Sequence, residues 1–222
     1  MNQGSITLVP VFATPMAMIT LPDASRWTEV VAQLLARHAA ANPAQSTAGG
    51  LCYQSRDDLL DWPDAPLRQL CSEILRGVWS TVAAATTLSH EQLSTLSVQA
   101  RGAYTIVQPD GCVPATSHSL TAWCGIYCLQ APDPAPTRGD SGVVRFYESR
   151  LGTSLADATM SALRVPFLSG NYTWRAVPGQ LIVFPGSLTY EIPLIRAVGA
   201  LTLITVRTRF VAPGQEGLTR WS

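Results

Sequence analysis

Two stretches of this 222-residue chain hold the side chains whose types and placing could do chemistry. Residues 112–129 (CVPATSHSLTAWCGIYCL) read as strand, tight connection, strand, and carry a single histidine, His118, near the start. Residues 179–202 (GQLIVFPGSLTYEIPLIRAVGALT) again read as short strands around a turn, and carry Tyr190. Together the two read as opposite walls of a small β-barrel with a pocket between them. An imidazole titrates near neutrality, and a desolvated phenol donates a proton without carrying charge. Facing one apolar cavity, the two would form an acid–base pair. With Tyr190 on the pocket side, strand alternation turns Leu188 and Ile192 inward and sends Thr189 and Glu191 to the other face.

The elements that must position this pair follow from periodicity. Residues 6–19 alternate roughly as a strand broken at Pro10 and Pro15, which suits a sheet edge. From 24 to about 41 the positions Trp27, Val30, Val31, Leu34 and Leu35 fall at helical spacing, with Asp23 or Ser25 as the cap. His38 continues that stripe, so it is expected to pack rather than to bind a ligand. A second helix from about 65 into the mid-80s carries Leu67, Leu70, Cys71, Ile74, Val78 and Val82 on one face. Ser89 caps a short third helix, which leaves His90 exposed. Between the first two helices, residues 51–62 mix acidic and aromatic side chains without a period and read as a surface loop over the barrel.

Beyond Ser94 the pattern changes to short β-rich runs at 97–107, 119–130, 143–147, 172–177, 181–184, 188–192 and 200–210. The expected fold is therefore α+β: a double-stranded β-helix, a jelly-roll or cupin-type barrel, with two N-terminal helices packed on the sheet. One domain spans 1–222, with 1–96 as a helical support region and 97–222 as the barrel.

Composition narrows the function classes. Hydrophobic residues make up 47% of the chain and charged residues 14%, which supplies a sizeable core. Fifteen basic residues balance fifteen acidic ones, and the basic residues are all arginines scattered singly. A phosphate-binding surface needs a concentrated basic face, so neither nucleic acid nor an anionic membrane is an expected partner. The five cysteines match neither a zinc pair nor a secreted disulfide framework, and read as buried thiols. With no basic leader at the N-terminus and no apolar run of about 18 residues, the expected location is the cytoplasm.

Several stretches resemble the Fe(II)/2-oxoglutarate oxygenase-like family. That family carries His-x-His ahead of Ser-Gly-Val-Tyr-Tyr-Leu, where this chain reads Thr116-Ser-His118 and then Cys124-Gly-Ile-Tyr-Cys-Leu129. The family's Gly-x-Leu-x-x-Phe-Pro-Ser-x-Leu-x-His is similar to Gly179-Gln-Leu-Ile-Val-Phe-Pro-Gly-Ser-Leu-Thr-Tyr190. Tyr53-Gln-Ser55 with Leu59, and Ser141-Gly-Val-Val-Arg-Phe-Tyr-Glu-Ser-Arg150, fit the same frame. By this resemblance the metal-ligand positions hold Thr116, His118 and Tyr190, of which only the imidazole is a good ligand for iron. The arginine that holds the co-substrate carboxylate corresponds to Ala200, and the serine beyond it to Thr202. If the final strand matches the family, both point inward.

The resemblance thus implies an oxygenase frame with no resident metal and no cofactor. The expected function is a metal-independent enzyme acting on a small molecule in a biosynthetic pathway, by cyclisation, elimination or isomerisation. His118 and Tyr190 would be catalytic, Thr116, Thr202, Arg150 and Tyr127 substrate-binding. Glu148 and Arg150 would brace one another, with anion binding by Arg150 as the alternative. A second reading keeps Fe(II) on His118 and a nearby carboxylate, with Arg196 or Arg207 as the co-substrate anchor. A third is a non-catalytic binding module or a subunit that completes a partner's site, joined to a like or unlike chain through an apolar interface. In both of these, His118 and Tyr190 need do no proton transfer.

Overall fold

The computed structural model describes residues 13–118, 120–133, 140–147 and 170–214. Helical spacing is realised in α1 (Ser25–Ala41) and α2 (Ala65–Ala85). α3 (His90–Ser94) starts in a capping box, with the Ser89 hydroxyl accepting from Gln92 N and the Gln92 side chain accepting from Ser89 N. The first helix differs from expectation. Its N-cap is Ala24 with no side-chain bond, because Asp23 takes a left-handed φ of 55° that turns the chain into the helix instead.

Eleven strands appear among the described residues: β1 (Ala17–Thr20), β2 (Ser46–Thr47), β3 (Cys52–Gln54), β4 (Ser97–Val107), β5 (Val113–Thr116), β6 (Trp123–Gln130), β7 (Val143–Tyr147), β8 (Asn171–Arg175), β9 (Gln180–Pro185), β10 (Thr189–Ile192) and β11 (Leu201–Val211). They form a seven-stranded sheet in the order β1-β9-β6-β11-β4-β3-β2 and a four-stranded sheet in the order β5-β10-β7-β8. The paired strands are antiparallel throughout.

Period-two alternation makes the large sheet a wall shared by two cores. Leu181 and Val183 of β9, Tyr127 and Leu129 of β6, and Ile204 and Val206 of β11 pack under Val31, Leu35, Leu70, Ile74 and Val78 of the helices. The intervening residues Ile182, Phe184, Cys124, Ile126, Cys128, Leu201 and Leu203 turn the other way and meet Phe146, Trp174, Tyr190 and Ile192 inside the barrel. The helix layer sits close because β6 and α2 each present a glycine. A Cβ on Gly125 would lie 3.0 Å from Val78, and one on Gly77 only 2.6 Å from Leu181. Among the described residues no helix is long and apolar enough to cross a membrane.

Two expectations are corrected here. The 51–62 segment is no surface loop: Tyr53 pairs with Ile106 in the sheet, and Cys52, Tyr53, Ser55 and Leu59 are buried. A strand of three residues is too short to show a period. The segment before residue 97 also does more than support, since β1 pairs with β9 and β3 with β4. His38 packs as expected: Nδ1 lies 2.9 Å from the Tyr104 hydroxyl and the ring 4.3 Å from Trp62, while His90 is exposed.

Candidate functional site

The two stretches that carry His118 and Tyr190 are not opposite walls. Each gives one strand to each sheet, β5 with β10 and β6 with β9, so the stretches run side by side. Thr116 is the cross-strand partner of Tyr190. His118 lies just past the end of β5, in a turn closed by Thr121 N donating to His118 O at 2.9 Å. The result is direct contact. His118 Nε2 stands 3.2 Å from the Tyr190 hydroxyl, with ring centroids 5.9 Å apart.

Both side chains line a pocket of about 160 Å³ at one end of the barrel. Thr116, Thr105 and Thr205 add hydroxyls to its wall, and Val113, Ile126, Ile192 and Leu203 its apolar surface. Gln54, Asp57 and Arg207 complete the polar side, and Arg207 forms an ion pair with Asp57. Tyr190 is backed by Phe184 and Phe146, at centroid distances of 5.7 and 5.9 Å.

The surroundings fix the protonation states. Burial, then the positive charge of Arg207, hold the His118 pKa below its ordinary value, while Asp57 pulls weakly the other way. Burial pushes the Tyr190 phenol well above the usual tyrosine range, with Arg207 offsetting only part of it. At neutral pH the pair is therefore a neutral imidazole and a protonated phenol. In the tautomer that carries the ring proton on Nδ1, Nε2 accepts from the phenol.

The turn that carries His118 depends on Gly186. His118 N donates to Gly186 O at 2.8 Å, and Gly186 N donates to Ala122 O at 3.0 Å. A Cβ at this glycine would stand 2.4 Å from Thr121 O and 2.9 Å from His118 O, both backbone atoms that cannot swing aside. Gly186→Ala is expected to lift the turn off β9 and cost about 1–3 kcal/mol, the usual range for overpacking. Urea denaturation measures the loss, and His118 ring resonances that move more than those of His38 locate it.

The other candidates are placed differently. Tyr127 lies on the helix side of β6, fully buried in the outer core, and does not line this pocket. Thr202 also faces away: its hydroxyl donates to Gln130 Oε1 at 3.1 Å, while Leu201, Leu203, Thr205 and Arg207 turn inward. Unbroken alternation along β11, whose register with β4 runs without a shift from Leu201 to Val211, puts Thr202 on the face of Ile204 and Val206, toward the helices. Arg196 is exposed and pairs with Asp110 at 2.7 Å, away from the pocket, whereas Arg207 lies in it. Glu148 and Arg150 lie outside the described residues. Arg207, Asp57 and Thr205 were not foreseen as a group. The signal was the run Thr205, Arg207 at alternate positions of an otherwise apolar strand.

The residues present do not fit the iron and co-substrate that the fold's resemblance implies. At the ligand positions stand a threonine, one imidazole and a phenol that stays protonated. The carboxylate beside them is held by Arg207, whose charge opposes a cation. Among the described residues no three His, Cys, Asp or Glu side chains converge on one point. Ala200 stands where the family has its co-substrate arginine, and the neighbouring Leu201 and Leu203 belong to the apolar core inside the barrel. Anaerobic titration with Fe(II) is expected to show only weak surface binding and no succinate release from 2-oxoglutarate. One iron per chain with succinate release would contradict this.

No protein-family model matches the chain, and no curated protein matches it in sequence. Solved structures share its fold. The α-ketoglutarate-dependent carbocyclase SnoK from nogalamycin biosynthesis gives a TM-score of 0.58 at 10% identity, covering 95% of this chain and 87% of its own. The epimerase SnoN of the same biosynthesis gives 0.56 at 10% identity over 94% and 85%. A prolyl-4-hydroxylase from Pseudomonas putida gives 0.55 at 12% identity over 88% and 93%. The architecture is thus the double-stranded β-helix of the Fe(II)/2-oxoglutarate oxygenases, with helices on its larger sheet. At such identities the likeness concerns the fold alone.

Proposed function

We propose that the pocket is the active site of a metal-independent enzyme that moves a proton on a small molecule, in a reaction of the cyclisation, elimination or isomerisation type. One observation carries the reading: an imidazole and a phenol in hydrogen-bond contact at 3.2 Å inside a small pocket that joins apolar side chains to polar ones. When a substrate bearing an acidic C–H enters, the phenol turns from Nε2 to the substrate oxygen. The freed nitrogen takes the proton from carbon, and the electron pair moves onto the oxygen that Tyr190 holds. His118, now imidazolium, returns its proton to a different atom or to a leaving group. The Arg207 charge favours the developing anion at the cost of making the imidazolium less stable, and Asp57 moderates that cost.

Two chains of similar fold are a carbocyclase and an epimerase, both α-ketoglutarate dependent, so the fold itself admits rearrangement of a small molecule. The test is deuterium wash-in. The full chain is incubated in D₂O with a panel of small carbonyl compounds, and carbon-bound deuterium is followed by NMR. Exchange that disappears in His118→Ala supports the reading. If His118→Ala exchanges as fast as wild type, or no compound exchanges, the reading fails and the binding-module alternative takes its place.

A further inference from the structure

We propose that the substrate of this pocket is an uncharged carbonyl compound that carries one or more hydroxyl groups and is about the size of a single six-membered ring. The inference rests on the acid–base reading for the carbonyl, and on the pocket wall for the hydroxyls and the lack of charge.

The wall offers neutral hydrogen-bonding groups from both sheets. Thr105 of β4 is the cross-strand partner of Gln54 of β3, and Thr116 of β5 is that of Tyr190. All four line the pocket, with Thr205 of β11 beside them. Two other threonines of β11 have hydroxyls engaged within the fold: Thr202 donates to Gln130 Oε1 at 3.1 Å and Thr208 to Trp123 O at 3.2 Å. Among the described residues the side chains of Gln54, Thr105 and Thr116 make no such bond, which leaves their donors and acceptors to solvent or a ligand. Hydroxyls and carboxamides both donate and accept, so each matches a ligand hydroxyl in either sense. A wholly apolar ligand would expel the water from these groups and leave them unpaired.

The charges of the pocket answer one another. Asp57, from the segment after β3, is paired with Arg207, and Arg101, the cross-strand neighbour of Arg207 on β4, does not line the pocket. An entering anion would have to displace Asp57 or lie against it, and a cation would meet Arg207 in the same way. Breaking a partly buried ion pair leaves one charge without its partner, whereas an uncharged ligand leaves the pair intact. Val113, Ile126, Ile192 and Leu203 supply apolar surface for the carbon skeleton. The volume of about 160 Å³ sets the size, since a cavity of about 150 Å³ holds one benzene.

Benzamide, benzoate and benzamidinium share one shape and differ in charge, and the hydroxybenzamides add one hydroxyl at each ring position in turn. Each probe is titrated into the full chain while the His118 ring resonances are followed. Benzamide is expected to bind about tenfold tighter than either charged probe, and the best hydroxybenzamide severalfold tighter than benzamide. The double variant Thr105→Val with Thr116→Val should lose the hydroxyl preference and keep benzamide binding, which also shows that it is folded. Asp57→Asn takes the counter-charge from Arg207 and should turn the charge preference toward benzoate. The proposal is overturned by a charged probe that binds wild type as tightly as benzamide, or by no shift at His118 with any probe. A hydroxyl preference that is missing or survives the double variant, or an unchanged order of probes in Asp57→Asn, overturns it equally. The acid–base role fails alone if wild type shows both preferences while deuterium exchange is unaffected in His118→Ala. The substrate class fails alone if exchange is lost in that variant while wild type takes charged and uncharged probes equally.

Discussion

Tyr190→Phe and His118→Ala are each expected to lower turnover by about two to four orders of magnitude with the fold intact, the usual share of a positioned proton-transfer group. Phenylalanine keeps the contacts of the Tyr190 ring with Phe146 and Phe184 and removes only the hydroxyl 3.2 Å from Nε2. Were the two side chains filler, the signature would be reversed: stability lower by about 1–3 kcal/mol and the rate per folded molecule unchanged. Melting curves measured beside the deuterium assay decide between them. The pH profile gives a second check. A base held below its ordinary pKa stays competent on the acid side of neutrality, so activity should fall only as pH drops below the normal histidine range, about 6.5. The alkaline limb, from ionisation of Tyr190, should lie above the usual tyrosine pKa of about 10. A limb that moves up in Asp57→Asn would contradict the sign, because removing that carboxylate leaves Arg207 to lower His118 further.

Phe184→Ala is expected to cost about 3–5 kcal/mol, a large share of the stability of a domain this size. Phe184 is fully buried in the barrel core, 4.8 Å from Phe146 in an edge-on arrangement and 5.7 Å from Tyr190. Alanine would remove the ring that both others lean on and leave a cavity that β9, pinned between β1 and β6, cannot close. Urea denaturation measures it against Leu120→Ala, at a side chain 62% exposed, which should stay within about 0.5 kcal/mol of wild type. A loss below about 1 kcal/mol for Phe184→Ala would mean that the barrel repacks.

The helical stripe through Ile74 and Val78 and the β-branched and aromatic run Val143–Tyr147 point to α2 and β7 directly, the first because a long element repeats its pattern, the second because its residue types favour a strand. β3 was missed, since three residues of Cys-Tyr-Gln carry no period and only pairing with β4 makes them a strand. The contact of His118 with Tyr190 was anticipated as a shared cavity, yet as a meeting across the barrel. Which strands become neighbours is a property of the pairing order, and local pattern is silent about it. Thr202 shows the sharpest limit: alternation along β11 sends it to the face of Ile204 and Val206, and the match to the family was one residue out of step with the inward set Leu201, Leu203, Thr205 and Arg207. Arg207 was read as an anchor for a lost co-substrate, and its neighbours Arg101 and Asp57 come into view only when β4, β11 and the segment after β3 are assembled.

The unequal burial of the five thiols makes the chain ready for selective chemistry. Cys52, Cys71, Cys124 and Cys128 are buried, and burial lifts the last three to a pKa of about 12, so they present almost no thiolate. Cys112 is exposed, one residue before Val113 of the pocket wall. A maleimide dye or spin label therefore has a single address in the native protein, next to the site and outside its machinery. The wild-type sequence can report ligand arrival there without any cysteine being added or removed.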